Sequence, residues 1–206
     1  MHRDLVLATR NRHKGKELGS LLADLPVRIR TMDEFLDVPD VVEDGDTCEA
    51  NAIKKARAVS DATGLMAVAD DTGLEVDALD GRPGVYAARY AGPQATYEDN
   101  CRKLLGEMAG VPLDRRTARF VTVAAVALPS QTVEVMTGRL EGLISERPAG
   151  ARGFGYDPVF YVPELGKTLA ELSSEEKNRI SHRAKAFAQV RDLLQNRLGS
   201  GRSAAR

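Results

Sequence analysis

Apolar positions along the chain fall into short continuous runs separated by stretches with helical spacing. Leu5-Val6-Leu7-Ala8 has the length of a buried strand, and the polar segment 9–14 after it leads into a stretch where Leu18, Leu21 and Leu22 recur at helical intervals. The chain therefore opens with a strand–loop–helix unit. A second helix is predicted over residues 47–63, with Ala52, Ala56 and Val59 along one side and Asp46 and Glu49 able to form a capping box at its start. Asn51 and Lys55, four residues apart, share a face of that helix. Residues 65–69 read as a second buried strand that delivers Asp70 and Asp71 at its end, before Thr72-Gly73. Residues 74–78 alternate apolar and acidic as a half-exposed strand does, and 80–84 are dense in turn residues.

Further along, 96–108 reads as a helix, and 119–128 and 133–144 read as two long strands joined through Pro129-Ser130, which predicts an antiparallel component in the sheet. The glycine-rich loop 150–155 leads into the strand-like segment 158–162. From Ser173, with Glu176 placed for a capping box, the chain reads as helical to about Leu198, interrupted and recapped at Ser181. Alternating strands and helices followed by a hairpin define an α/β class with a mixed sheet. There is no internal repeat. Residues 1–198 read as one domain, and 199–206, rich in small and polar residues, as a disordered C-terminal tail.

Composition narrows the function classes. The 206 residues suit one compact domain or two closely packed lobes, and 29 Lys plus Arg against 30 Asp plus Glu leave a net charge of −1. That balance argues against a protein that coats a nucleic-acid polymer, which needs a strongly basic footprint. The longest apolar run, 121–128, is far short of the roughly 20 residues that cross a bilayer, so no membrane partner is expected. The N-terminal residues do not read as a signal peptide. The 2 cysteines, Cys48 and Cys101, lack zinc-ligand spacing and read as reduced thiols of a cytoplasmic protein.

Four segments could carry chemistry. Thr9-Arg10-Asn11-Arg12-His13-Lys14 lies between a strand and a helix N-terminus, where backbone N–H groups favour anions. It lacks the Walker A pattern, and the same residues would also make an ordinary solvated basic turn. Glu43, Asp44 and Asp46 before the second helix, with Asp70 and Asp71, offer the hard oxygen donors that Mg²⁺ takes alongside phosphate oxygens and water. They would equally serve as caps and turn formers. Side chains alternate along a strand, so only one of Asp70 and Asp71 can point into a shared site. Phe154-Gly155-Tyr156-Asp157-Pro158 sets two aromatics beside a flexible loop, as a base-stacking platform or as two core residues at a strand start. Lys177, Ser181, His182 and Arg183 bring donors to the last helix, where His-Arg is also an ordinary surface pair.

Taken together and in this order, these segments resemble the non-canonical purine nucleoside triphosphate pyrophosphatase family, also called the inosine triphosphate or dITP/XTP pyrophosphatase family. The match runs from Leu5 to about Leu194. It is carried by Ala69-Asp70-Asp71-Thr72-Gly73-Leu74 with Pro83-Gly84-Val85-Tyr86, by Gly153 through Pro158, and by Glu175-Glu176-Lys177 with Ser181-His182-Arg183. The resemblance implies an elongated mixed central sheet flanked by helices, with two lobes and an active site in the cleft between them. It implies a triphosphate-side loop at 9–14 and a further phosphate contact at Lys55. Asp71 matches the acid that holds Mg²⁺ and acts as general base, Glu43 a second metal position, and Thr72 a substrate contact usually made by serine. Phe154, Gly155, Tyr156, Asp157, Lys177, His182 and Arg183 match the nucleotide-binding side. A homodimer is implied by the resemblance alone. Arg10 and His13 stand where the family loop has glycines, Ala87 where a serine is common, and Glu49 is displaced from the family's usual glutamate position.

The activity so implied is hydrolysis of ITP, dITP or XTP to the monophosphate and pyrophosphate. The 6-oxo group of hypoxanthine or xanthine accepts where adenine's amino group donates, so donors from His182 and Arg183 would favour the former and oppose ATP. Two alternatives stay open: a pyrophosphatase for methylated or pyrimidine nucleotides, and a nucleotide- or RNA-binding module without catalysis.

Overall fold

The first apolar run becomes strand β1 (Arg3–Leu7), which pairs in parallel with β2 (Val27–Thr31) and β3 (Met66–Val76) in the computed structural model, where residues 3–200 are described. Parallel neighbours need crossovers. Helices α1 (Arg12–Leu21) and α2 (Cys48–Thr63) lie within these connections. Alternation along β1 decides what each helix covers: Leu5 and Leu7 pack with Leu18, Leu22 and Val68, whereas Val6 and Ala8 pack with Ala52, Ala56, Val59, Ala67 and Ala69. The two helices thus bury opposite faces of the same strands.

The remaining elements are β4 (Pro83–Gly84), α3 (Tyr97–Glu107), β5 (Thr117–Ala127), β6 (Glu134–Ile144), β7 (Phe160–Val162), β8 (Lys167–Thr168), α4 (Ser174–Ile180) and α5 (His182–Ser200). Strand order is β2-β1-β3-β5-β6-β7-β8 with β4 paired to β3, and the β3–β4, β6–β7 and β7–β8 pairs are antiparallel. The sheet is mixed and flanked by helices, as the sequence implied.

The chain divides into two units, one comprising Met1–Asp71, Thr122–Gly138 and Ala184–Arg206, the other Thr72–Val121 and Arg139–Arg183. In the first, α5 adds Ala186, Phe187, Val190 and Leu194 to the α1 face. The second has its own core, with Leu74, Val76, Leu104, Met108, Phe120, Ile144, Val159, Phe160 and Leu169. It also holds Arg116, 3% exposed, whose guanidinium donates to the carbonyls of Ile144 (2.7 Å), Met108 (2.8 Å), Ser145 (3.0 Å) and Val111 (3.2 Å). Burial lowers its pKa from the ordinary arginine value.

Three expectations are corrected. Asp70 and Asp71 do not end a strand: β3 continues through them to Val76, and β4 pairs with it at Leu74 and Glu75. The polar interruption at 70–73 breaks the apolar pattern without breaking the extended backbone. Helix α2 is capped by Thr47, whose hydroxyl accepts from Ala50 N at 3.1 Å, rather than by an Asp46–Glu49 box. Strand β2 is additional; Val27 and Ile29 alternate with Arg28 and Arg30 on a short, half-exposed edge. The Ser173–Glu176 capping box forms, and Ser181 is extended between α4 and α5. Helix α5 runs through Ser200, two residues into the segment expected as a tail; 201–206 lie outside the described residues. Among the described residues, no helix is long and apolar enough to cross a membrane.

Candidate active site

In the first unit the loop after β1 is organised by Asn11, whose Oδ1 accepts from His13 N (3.0 Å) and Lys14 N (3.2 Å) and so caps α1, while Thr9 Oγ1 accepts from Asn11 N (3.2 Å). The cap sends Lys14 back toward β3. Its Nζ lies 3.2 Å from Asp70 Oδ2, a carboxylate whose side chain is fully buried. Asp70 shares a strand face with Val68, and Asp71 shares the α2 face with Ala67 and Ala69. There Lys55 reaches from the middle of α2. Its Nζ donates to the Asp70 carbonyl at 2.7 Å and stands 3.0 Å from Glu43 Oε1 and 3.5 Å from Asp71 Oδ1.

Burial alone would lower the Lys55 ammonium, but the carboxylates of Asp71, Asp70 and Glu43 outweigh it and hold it above the ordinary lysine value. Asn51, one turn earlier, donates from Nδ2 to Asp71 Oδ2 at 3.1 Å. Cys48 also faces Asp71, and burial, then that carboxylate, push its thiol up to about 12.

Arg10 is turned elsewhere. Its guanidinium is paired with Asp40 and donates to the carbonyls of Val38 (2.6 Å) and Met32 (3.2 Å), bracing the segment that leads to Glu43. Arg12 and His13 are exposed on the first turn of α1. Asp44 pairs with Lys54 at 2.6 Å, and Asp46 is exposed.

Glu43 and Asp71 converge on one ammonium and offer the hard oxygens Mg²⁺ prefers. Cys48 offers a soft sulfur, which Mg²⁺ does not favour. Among the described residues no three His, Cys, Asp or Glu cluster as a self-sufficient metal centre. Two carboxylates completed by phosphate oxygens and water suit this donor set, so the residues fit Mg²⁺ bound together with a triphosphate.

The second unit builds a different surface. Gly153 adopts φ +74°, and a Cβ there would lie 2.0 Å from Asp157 Oδ2, so only glycine lets the loop close over that carboxylate. Asp157 Oδ2 accepts from Phe154 N (2.9 Å) and Lys177 Nζ (2.6 Å). The Phe154 ring, half-buried, carries Lys177 Nζ at 5.0 Å and the Arg183 guanidinium at 5.4 Å from its centroid. Arg183 also donates to Thr72 Oγ1 at 3.2 Å. Tyr156, in contrast, is a core residue: its hydroxyl donates to the Ala87 carbonyl at 2.9 Å, and burial holds the phenol far above the ordinary tyrosine value. Half-buried Gly155 accepts at its carbonyl from Cys101 Sγ, 3.4 Å away. His182 and Arg183 are each 2% exposed, which excludes a surface pair, and the His182 ring stacks on Phe120 with centroids 4.4 Å apart.

Structure thus gathers Glu43, Asp71 and the Asp70 carbonyl on Lys55, with Lys14 on the Asp70 carboxylate, and sets Lys177 and Arg183 over the Phe154 ring, the former paired with Asp157 and the latter with Thr72. Asp70, weighed from the sequence as a metal donor, instead pairs with Lys14, and no role was expected of Phe120 or Asn51. Asn51 carried a usable signal in its four-residue offset from Lys55; Phe120 had none, because it sits inside an apolar strand run.

The Ham1 family matches residues 5–193. The chain is 49% identical over 190 residues to the dITP/XTP pyrophosphatase of Geobacter sulfurreducens, covering 92% of this chain and 96% of that protein. Among solved structures it is similar to a HAM1 protein from Coxiella burnetii (TM-score 0.86, 41% identity, 94% of this chain and 99% of that one) and to the Staphylococcus aureus Ham1 protein (TM-score 0.84, 39% identity, 95% and 100%). Matched across nearly its whole length by family, relatives and structures alike, the chain belongs to the Ham1 family.

Proposed function

We propose that the protein hydrolyses non-standard purine nucleoside triphosphates, ITP, dITP and XTP, to the monophosphate and pyrophosphate, with Mg²⁺ as cofactor. The observation that carries this reading is the meeting of Glu43 and Asp71 on the Lys55 ammonium, beside a second lysine, Lys14, aimed at the same strand. The names of the relatives support the substrate class. Bound to Glu43 and Asp71, the metal ion would neutralise phosphate charge. Asp71 accepts the proton of the water that attacks the α-phosphorus; the bond from that phosphorus to the bridging oxygen breaks, and the electron pair leaves with pyrophosphate. Lys14 and Lys55 stabilise charge on the leaving group. In the second unit Phe154 offers a face for the base, and Arg183 and His182 offer donors for the 6-oxo group that adenine lacks.

The partner is a free nucleotide rather than a polymer. A cytoplasmic homodimer completes the proposal; the two free cysteines suit a reducing compartment. Sedimentation as a monomer at micromolar concentration would contradict the dimer.

The decisive assay measures pyrophosphate release from dITP, XTP, dGTP, dATP, dUTP and a methylated dTTP, with Mg²⁺ or with EDTA. We expect release from dITP and XTP only, lost in EDTA and reduced by about 10²–10⁴ in Asp71→Asn, the range of a general base. Preference for dUTP or methylated dTTP would move the substrate class, and no release from any triphosphate would leave a binding module.

A further inference from the structure

Asn51 is buried to 1% exposure at the first turns of α2, and its amide is used at both ends. Oδ1 accepts from the backbone N–H of Gly45 at 2.8 Å, and Nδ2 donates to Asp71 Oδ2 at 3.1 Å. The orientation of the amide follows from its partners. Rotating it by half a turn would set the NH₂ against an N–H and the carbonyl oxygen against a carboxylate, two repulsions in place of two bonds.

Gly45 lies two residues after Glu43, so this one side chain ties the segment carrying one site carboxylate to the other site carboxylate directly. The approach is close enough to exclude any side chain at 45: a Cβ there would lie 2.8 Å from Asn51 Oδ1 and 2.9 Å from the Ala50 Cβ. Lys55, one turn on, also contacts both acids, but through a mobile stem and a charge that accepts many directions. The amide fixes direction. Its planar group, locked at Gly45, leaves a single line along which Nδ2 meets Asp71 and presents the other oxygen, Oδ1, toward Lys55.

We infer that Asn51 is a positioning residue for the hydrolytic step: by bridging Gly45 and Asp71 it sets the angle of the Asp71 carboxylate and its spacing from Glu43. The inference rests on the reading of Asp71 as the group that acts on water. Removing a hydrogen-bond partner of this kind costs about 10–100-fold in activity or metal affinity.

The test compares wild type, Asn51→Asp, Asn51→Ala and Gly45→Ala by steady-state kinetics on dITP, Mg²⁺ titration and thermal melting. Asn51→Asp keeps the volume and the acceptor toward Gly45 N but has no donor for Asp71. Its kcat is expected to fall about 10–100-fold while KM for dITP stays within about threefold. Gly45→Ala, which keeps the identity of every site side chain and displaces the amide, is expected to lower kcat in the same way and to raise the Mg²⁺ concentration for half-maximal rate. Combined with Asn51→Ala it should cost little more than the larger single change, since both break one link. A kcat within about twofold of wild type in folded Asn51→Asp overturns the inference, as does a loss confined to melting temperature. Should Asn51→Asp fail to fold, Gly45→Ala decides on the same criterion. The underlying reading fails separately: if Asp71→Asn hydrolyses dITP like wild type, Asp71 is not the group being positioned.

Discussion

In the first unit three carboxylates, Asp70, Asp71 and Glu43, share the two ammonium groups of Lys14 and Lys55, whereas in the second the carboxylate of Asp157 faces Lys177, with Arg183 beside it over the Phe154 ring. The named groups therefore leave an excess of negative charge in one cluster and of positive charge in the other. A negative excess suits a divalent cation escorting phosphates, and the flanking lysines keep that charge from repelling the triphosphate itself. A positive excess over an aromatic face suits a flat ring rich in acceptor oxygens. On the proposed function, chemistry and selection fall to surfaces of opposite sign.

The contrast can be broken most severely at Asp157. Asp157→Ala strips Lys177, whose side chain is 9% exposed, of its counter-ion and removes the acceptor over which the 153–157 loop closes. We expect a loss of about 3–5 kcal/mol in urea unfolding, with the second unit melting first. Lys55→Met acts on the other cluster, leaving the three carboxylates with Lys14 alone. It should lower kcat by about 10²–10³ on dITP, and the deficit should shrink as Mg²⁺ is raised, because the ion then takes over part of the screening. Phe154→Leu keeps apolar bulk but removes the π face. A KM increase for dITP equivalent to about 1–3 kcal/mol, with kcat nearly unchanged, would confirm selection without chemistry; an equal fall in kcat would blur the division.

The mildest test uses the cysteines, one beside each cluster. Burial, aided by Asp71, pushes Cys48 up to about 12, and burial, aided by Asp157, pushes Cys101 up to about 11. Both should react with iodoacetamide at pH 8.5 far more slowly in the folded than in the urea-unfolded protein. The sign for stability follows: the unfolded thiols ionise first, so stability declines as pH rises from the ordinary thiol range toward about 11 and is unaffected below it.

Much of this was legible in the sequence because it is local. Helix α3, the Ser173–Glu176 box and the break at Ser181 follow from neighbours in the chain. The opposed orientation of Asp70 and Asp71 follows from strand alternation, and the structure gives them different lysines. What escaped depends on partners distant in sequence. Continuity of β3 through 70–73 is invisible to an apolar pattern, since the polar side chains there are matched by Lys14, Lys55 and Asn51. Arg10 looks like a phosphate ligand until Asp40 and the carbonyls of Met32 and Val38 are brought to it. Phe154 and Tyr156 have similar local surroundings in the sequence, and it is burial and the bond to the Ala87 carbonyl that mark Tyr156 as core while Phe154 stays half-buried.

The pairing of β1 with β3 places Leu5 against Met66, Val6 against Ala67 and Leu7 against Val68, and that alignment is enforced by two apolar layers that cannot be exchanged without exposing one of them. A slip of one residue would turn Asp70 to the α2 face and Asp71 to the opposite one. Insertions or deletions anywhere between residues 66 and 70 should therefore abolish turnover even where the protein still folds, whereas changes of side-chain size in the same stretch should tax only stability. Alignment of Asp71, the proposed general base, is in this sense stored several residues upstream, in the packing of apolar side chains.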